Sequence, residues 1–165
     1  MLEHMQRQYT GSTAWCFSRK KSMIDEYIIA YDRYVGVGSG AFGYHNDGIY
    51  INTFSLEEYI STERTGRLPI TRIKKFSEQE KIYYFFLMKL FGLSLSKAAF
   101  AQLRGQYSRT ALVLEVLALK LLGALRETED AINLTDRGKY YWVMAMREFF
   151  IAVDTIRDHC RTAVP

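Results

Sequence analysis

Asp32–Asn52 reads DRYVGVGSGAFGYHNDGIYIN, a short apolar run that enters a glycine cluster and continues into an aromatic segment. Five of the chain's eleven glycines lie in this stretch. Glycine lacks a Cβ and tolerates positive φ angles, and its entropic cost is usually offset by close approach to a ligand or to another backbone. The stretch is therefore a candidate ligand-binding wall, with a sharp turn of a strand as the purely structural alternative.

The same stretch contains a literal dinucleotide-binding fingerprint. Gly38–Gly43 reads GSGAFG and matches the spacing G-x-G-x-x-G. In a true site the third glycine opens a helix whose N-terminus holds a pyrophosphate. Here Asn46-Asp47-Gly48 is a strong turn signal, so Ala41–His45 and Ile49–Thr53 are predicted to pair as a β-hairpin. The hairpin argues against a nucleotide site of this type.

The flanking segments carry signals for short strands and helices. Composition and apolar spacing predict three elements: strands over Tyr9–Ser18 and Tyr34–Val37, and a helix over Met23–Tyr31. Ser55 with Glu58 forms a capping box for a helix that ends near Arg64, before Gly66. The basic segment that follows, Ile70–Phe76, favours no regular element.

The C-terminal half is predicted to be mainly helical, with a domain boundary near Lys74. Caps and stop signals predict helices up to Phe91, over Ser96–Arg104, from Ser108 or Thr110 to Leu122, and over Lys139–Cys160. Two short strands are predicted within Ala124–Thr135. Three helices, a β-hairpin and a closing helix follow the order of a winged helix-turn-helix.

Composition limits the classes of protein. With 165 residues, 48% of them hydrophobic, the chain can bury a sizeable core. A net charge of +4 permits anionic partners without requiring them. Cys16 and Cys160 form no C-x-x-C pair, which favours a reduced, cytoplasmic protein. No apolar stretch reaches the roughly 18 residues of a membrane span, so we expect no membrane partner.

Signals for catalysis by the chain itself are weak. The three histidines, His4, His45 and His159, are far apart in sequence and show no metal-ligand spacing. Ser39 lies in GVGSG, which lacks the G-x-S-x-G spacing of a nucleophile elbow. The residues therefore predict no self-sufficient active site.

The alternative function is a winged-helix module that binds nucleic acid or protein. Thr110–Leu122, in the position of a recognition helix, reads TALVLEVLALKLL and offers almost no side chain that reads base edges. We expect this helix to be buried nearly all round and to pack against protein. Four basic residues form either a phosphate-contacting patch or a solvated linker: Arg67, Arg72, Lys74 and Lys75.

Several segments in order carry a family resemblance. YVGVGSGAFGY, the hairpin, NTFSLEEYI, GRLPI and the predicted helices closing on LTDRG resemble the C-terminal part of oxygen-independent coproporphyrinogen III oxidases. These are radical SAM enzymes of haem biosynthesis, with haem-chaperone and haem-degrading relatives. The likeness spans about Tyr9–Phe150, nearly the whole chain.

The resemblance implies an α+β fold with two domains. Met1–Thr71 would be the C-terminal remnant of a radical SAM β/α barrel, with strand, helix, glycine-rich strand, hairpin and helix. Arg72–Pro165 would be a mainly helical, winged-helix-like domain. Leucines and one phenylalanine would form part of its core: Leu87, Phe91, Leu117 and Leu121.

The resemblance also implies cofactors for the full-length family. Its barrel holds a [4Fe–4S] cluster on a C-x-x-x-C-x-x-C loop, and the cluster binds S-adenosylmethionine. This chain has only Cys16 and Cys160, so we expect it to bind neither group alone and to be inactive alone. The remainder of the barrel would be a partner, and exposed barrel faces predict self-association.

By matching position, the resemblance implies two sets of site residues. Those near S-adenosylmethionine or substrate would be Gly36, Gly38, Gly40 and Ala41. Those that contact a tetrapyrrole-like substrate would be Phe42, Tyr44 and His45. Met23–Asp32, MIDEYIIAYD, departs from the polar segment usual in chaperone-like members, so porphyrinogen, haem and other substrates all stay open.

Overall fold

The computed structural model describes residues 8–19, 33–45, 48–106 and 112–162. Within these ranges the fold is α+β, as predicted, with small antiparallel sheets and five helices. The helices are α1 (Leu56–Arg64), α2 (Glu78–Phe91), α3 (Lys97–Gln106), α4 (Val113–Leu121) and α5 (Asp136–Thr162). The strands are β1 (Thr10–Gly11), β2 (Phe17–Ser18), β3 (Phe42–His45), β4 (Gly48–Asn52), β5 (Ile70–Lys75), β6 (Ser94–Ser96), β7 (Leu125–Glu127) and β8 (Ala131–Leu134).

The described residues form two compact units. The helical unit contains residues 8–19, 78–106 and 112–146, and the sheet unit contains residues 33–45, 48–77 and 147–162. The boundary between the units falls once after Ser77 and once within α5. The barrel and winged-helix division at residues 71 and 72 stays a prediction. None of the described helices combines the length and apolarity that crossing a membrane requires.

In the sheet unit, β3, β4 and β5 form an antiparallel meander. β3 and β4 are the predicted hairpin, with Phe42 opposite Ile51 and His45 opposite Gly48. β5 pairs with the other edge of β4, so the view that Ile70–Phe76 favours no regular element was wrong. Its residues ITRIKK, of which the last four are exposed, suit an edge strand, where Lys and Arg discourage strand-to-strand aggregation.

Helix α1 has the caps that the sequence predicts. The Glu58 N–H donates to the Ser55 hydroxyl at 3.2 Å. At the other end, Gly66 adopts φ +72° and its N–H donates to the Glu63 carbonyl at 2.9 Å. The Arg67 N–H reaches the Thr62 carbonyl at 3.3 Å, which completes a Schellman motif.

Two predicted strands in the N-terminal half were wrong in detail. Tyr9–Ser18 is a tight hairpin of β1 and β2, because the Cys16 carbonyl accepts the Ser12 N–H at 2.9 Å and turns the chain back. In Tyr34–Val37 only Tyr34 makes a β-bridge, to Tyr44. The predicted helix Met23–Tyr31 lies outside the described residues.

The helical unit follows the predicted order of elements. Helices α2, α3 and α4 come first, then the β7–β8 hairpin, then α5; β6 joins that hairpin in a sheet of order β6-β8-β7. Ile82, Leu90 and Phe91 on α2 are fully buried, and the Trp142 indole N–H donates to the Leu87 carbonyl at 3.1 Å. Leu87 itself packs at the margin of this core. The core therefore ties α2 to α5.

Helix α4 does not match the prediction that it is buried nearly all round. It begins at Val113, after Leu112 at φ +62°, and residues 107–111 lie outside the described ranges. Leu117 is 52% exposed and Leu121 81% exposed, so the prediction that they are core residues was wrong, whereas that for Phe91 was correct. The helix contributes Val116 to the core, Leu119 packs against the margin of the core, and Val113, Leu114, Leu117 and Leu121 are exposed.

The β7–β8 hairpin carries a small ion network. The Glu127 carboxylate accepts from Lys97 at 2.7 Å and also from Lys120. The hydrogen bond from Lys120 and, to a smaller extent, the one from Lys97 lower the pKa of Glu127 from 4.5 to about 2. These contacts connect the hairpin to α3 and α4, at a surface position where an ion pair contributes little stability.

We expect Gly138→Ala to destabilise the protein by about 1–3 kcal/mol, because overpacking a filled site forces its surroundings apart. A Cβ at Gly138 would lie 2.1 Å from the Ala124 carbonyl oxygen and 2.8 Å from Leu134 Cδ1. Gly105→Ala is the matched control: it is also helical, nothing lies within 4 Å of its Cβ position, and Ala should stabilise it by about 0.5–1 kcal/mol. Urea unfolding of both variants measures the difference, and equal effects would contradict the packing seen at Gly138.

Candidate functional site

Gly36–Gly40, here called the glycine segment, runs beside the β3–β4 hairpin and is held by side chains from β4 and α1. The Gly36 N–H donates to the Tyr50 hydroxyl at 2.9 Å, and the Gly38 N–H donates to the Tyr59 hydroxyl at 3.0 Å. Backbone groups without a strand partner need such acceptors when they are not solvated. The two tyrosines therefore replace the strand partner that this segment lacks.

Asn52 is the buried polar residue at the centre of this arrangement, only 3% exposed. Its Nδ2 donates to the Gly36 carbonyl at 3.1 Å and to the Gly38 carbonyl at 3.0 Å. Both amide hydrogens are thus used, which fixes the orientation of the side chain. Its Oδ1 accepts no hydrogen bond from the described residues. The Asn52 side chain also lines a cavity.

Thr53 extends the arrangement by one residue. Its carbonyl accepts the Gly40 N–H at 2.8 Å and the Ser39 hydroxyl at 2.9 Å. Its own hydroxyl donates to the Glu58 carboxylate at 2.5 Å and accepts the Ser55 N–H at 3.2 Å. The start of α1 and the glycine segment are consequently joined through one buried threonine.

Most glycines in this region give space to other protein atoms. A Cβ at Gly36 would lie 2.3 Å from the Phe42 carbonyl oxygen, and one at Gly43 would lie 2.1 Å from the Tyr50 ring. At Gly40, with φ +71°, it would lie 2.8 Å from the Phe54 ring. Gly38, at φ +107°, has nothing within 4 Å of its Cβ position. Close approach by the protein itself explains three of these glycines, and open space adjoins the fourth.

A cavity of about 640 Å³ lies against the glycine segment. This size is within the range of small-molecule sites. Its apolar walls come from Val35, Val37, Ile49, Leu68, Pro69, Ile70 and Ile73. Its polar lining comes from His45, Tyr50, Asn52, Tyr59, Glu63 and Lys75.

The polar groups of the cavity carry both signs of charge. The Tyr59 hydroxyl donates to the Glu63 carboxylate at 3.3 Å, one turn further along α1. His45 and Lys75 flank Gly48 in one row across the sheet, at the hairpin end. Such a lining suits an apolar ligand with polar substituents. It contains no nucleophile paired with a base.

The structure brings together only part of the predicted site. Gly36 and His45 line the cavity, whereas Gly38, Gly40 and Ala41 do not. Phe42 and Tyr44 lie two residues apart on β3, on the face opposite Gly43 and His45, because side chains alternate along a strand. The Tyr44 and Phe76 rings are tilted by 38°, with their centroids 5.7 Å apart. The roles predicted for these seven residues stay predictions.

Sequence reasoning missed four lining residues: Tyr50, Asn52, Tyr59 and Glu63. Tyr50 and Asn52 are two residues apart on β4. The strand alternation between them is irregular, because a bulge follows Ile51 in the pairing with β5. Tyr59 and Glu63 are one helical turn apart on α1, a spacing that could have indicated a shared polar face. No pattern in the sequence shows that this face meets the glycine segment.

Comparison with known proteins supports a likeness of fold. No protein-family model matches the sequence, and no curated protein matches it. Among solved structures, coproporphyrinogen III oxidase (HemN) from Escherichia coli, a radical SAM enzyme, matches with 18% identity and a TM-score of 0.58. The fold is similar to part of HemN. The match covers 86% of this chain and 37% of the HemN chain, and at this identity it shows the fold alone.

The residues present do not fit an iron–sulfur cluster. The chain has two cysteines, fewer than the three thiolates of a radical SAM loop. Cys16 belongs to the β1–β2 hairpin of the helical unit, where its N–H donates to the Thr13 hydroxyl at 3.0 Å. Among the residues that the structure describes, no three His, Cys, Asp or Glu side chains are placed to hold a metal ion. We therefore assign no cluster-dependent reaction to this chain.

We expect Asn52→Ala to destabilise the protein by about 2 kcal/mol, because two partly buried carbonyls lose their donor. Amide hydrogen exchange at Gly36 and Gly38 should accelerate more than exchange in α2, which belongs to the other unit. Asn133→Ala is the control, since its side chain makes one exposed contact, to Thr128 at 3.4 Å. Comparable losses of stability in the two variants would contradict the central role of Asn52.

Proposed function

We propose that this chain is the C-terminal, substrate-cavity part of a radical SAM coproporphyrinogen III oxidase-like protein and is not catalytic alone. The observation that carries the proposal is the likeness to HemN over 86% of this chain. The resemblance of the sequence segments to the same family also supports the proposal. The full-length reaction would be oxidative decarboxylation of a coproporphyrinogen-like substrate, started by a 5′-deoxyadenosyl radical.

In this proposal the two halves of the chain have different roles. Residues 1–71 are the last part of the barrel, and the glycine segment is one wall of its ligand cavity. Residues 72–165 are the winged-helix-like domain, which the order α2, α3, α4, β7, β8 supports. S-adenosylmethionine and the [4Fe–4S] cluster belong to the full-length protein, with the cluster cysteines in the remainder of the barrel. We place this protein in the cytoplasm.

The cavity chemistry is compatible with a tetrapyrrole-like substrate. Apolar walls suit pyrrole rings, and His45 and Lys75 supply donors for substituent carboxylates. The open space beside Gly38 leaves room for a ligand close to the backbone. Gly36, Gly40 and Ala41 would act by allowing the segment to fold closely on the hairpin.

We expect coproporphyrin III, the stable oxidised form of the proposed substrate, to bind the chain. We expect the Val37→Trp variant to bind it more weakly. Val37 is 80% exposed and lines the cavity, so an indole there fills it without disturbing the core. Binding should weaken at least tenfold, roughly 1.4 kcal/mol, in a fluorescence-quenching titration. Val143→Trp, at an exposed position on α5 in the helical unit, should leave binding unchanged.

Three results would contradict this proposal. The first is coproporphyrin III binding that is equally strong in Val37→Trp and Val143→Trp, and the second is no binding at all. The third is a stable visible absorbance band after reconstitution of the isolated chain with iron and sulfide. Such a band would mean that the chain holds a cluster without the remainder of the barrel.

A protein-interaction module is the second candidate function, and the exposed side chains of α4 favour it. Leu114, Leu117 and Leu121 recur at i, i+3 and i+7 and are all more than half exposed. The acid of the helix, Glu115, accepts from the Tyr83 hydroxyl. A leucine stripe offers no groups that read base edges, so it favours a protein partner, including a second copy, over nucleic acid.

If this stripe mediates self-association, Leu117→Glu should abolish the concentration dependence of the molar mass in sedimentation equilibrium. A carboxylate buried in a helix interface would be left without a partner, which costs several kcal/mol. Val143→Glu is the control, because it adds the same charge at an exposed apolar position on α5. A monomer at all concentrations, or association that persists in Leu117→Glu, would rule out this stripe as a self-association surface.

Gel-shift titration at two salt concentrations tests the nucleic-acid alternative, for which steep salt dependence of binding is the signature.

A further inference from the structure

A second groove lies in the sheet unit, against Phe42, Ile49 and Ile51 of the β3–β4 hairpin. It has a volume of about 560 Å³. The facing wall is the C-terminal part of α5, with Ala152, Val153 and Ile156. Ile49 and Ile73 also border the cavity at the glycine segment, but Gly36, Asn52 and Tyr59 do not contribute to this groove. It is therefore a separate site.

The pairing register explains why apolar and basic groups meet here. Phe42, Ile51 and Arg72 form one row across β3, β4 and β5, and Tyr44, Ile49 and Lys74 form the row two residues further along. Side chains two residues apart share a face of the sheet. The edge strand β5 thus places Arg72 and Lys74 beside the isoleucines of β4.

The described residues that line this groove include no carboxylate, and its polar side chains besides Arg72 and Lys74 are Thr155 and His159. On α5, Asp154 and Asp158 pair with Arg157 at 2.9 and 3.4 Å. Arg72 makes one hydrogen bond, to the adjacent Thr71 carbonyl at 3.0 Å, and no ion pair with any described residue. The guanidinium therefore retains donors for an anion.

We propose that this groove binds a carboxylate carried on an apolar body. The apolar body would lie between the hairpin isoleucines and α5, and the carboxylate would accept from the Arg72 guanidinium. Arg is suited to this contact, because its planar fork matches the two oxygens of a carboxylate. A linear alkanoate and a ring system with carboxylate substituents share this chemistry, and the experiment separates them.

The probe is decanoate, titrated into the full chain by calorimetry, with 1-decanol as the neutral ligand of equal length. We expect decanoate to bind at least tenfold more tightly than 1-decanol, which measures the contribution of the charged head. Arg72→Gln should weaken decanoate binding about tenfold, to the level of the alcohol. Arg126→Gln is its matched control, since Arg126 is also exposed on an edge strand, β7, outside this groove.

A second pair of variants tests the location. Ala152→Trp should fill the groove and reduce decanoate affinity at least tenfold, whereas Ala145→Trp, at an exposed alanine earlier on α5, should not. Thermal unfolding checks that each variant is folded. If coproporphyrin III competes with decanoate in the Val37→Trp variant, the ligand is identified as a carboxylated ring. If it does not compete there, the ligand is identified as a linear acid.

Three results would overturn the proposal. They are no binding of either decanoate or coproporphyrin III in this groove, equal affinity for decanoate and 1-decanol, and binding that Ala152→Trp leaves unchanged. Val37→Trp alters the cavity at the glycine segment, whereas Ala152→Trp alters this groove. Ligand binding to the two variants therefore distinguishes failure of this proposal from failure of the proposed function.

Discussion

The sheet unit depends on the hydrogen bonds of Asn52. Its amide donates to two carbonyls of the glycine segment, while Tyr50 and Tyr59 accept two N–H groups of the same segment. An irregular segment that runs against a sheet without regular pairing needs such partners, since unpaired buried backbone groups are costly. The position of the segment, and hence the shape of the 640 Å³ cavity, follows from these side chains.

The two faces of the same short sheet have different chemistry because strand side chains alternate. One face presents Gly43 and Tyr50 to the glycine segment, where absence of a Cβ allows contact between ring and backbone. The other face presents Phe42 and Ile51 in one row with Arg72. A shift of the register by one residue would exchange these faces. The pairing register of β3, β4 and β5, with its bulge after Ile51, therefore determines which groups line each cavity.

The helical unit is stabilised in a different way, by apolar packing around α2. Phe91 is fully buried, its ring meets Trp15 edge to face at 4.8 Å, and its carbonyl accepts the Ala14 N–H at 3.0 Å. The indole of Trp142 joins α5 to the same helix. Helix α4 shares in this core through Val116 and Leu119, whereas Leu114, Leu117 and Leu121 are exposed.

Local signals in the sequence determined the hairpin, the caps of α1, the order of the C-terminal elements and the absence of a cluster motif. Each depends on residues near one another in the chain: a turn at residues 46–48, Ser55 with Glu58, Gly66, and a count of cysteines. Only the tertiary structure decided that Ile70–Lys75 is a strand, because an edge strand rich in Lys and Arg has no apolar signal of its own. It also decided that Leu121 faces outward and that Gly36 packs on a carbonyl, since burial depends on which surfaces distant segments cover.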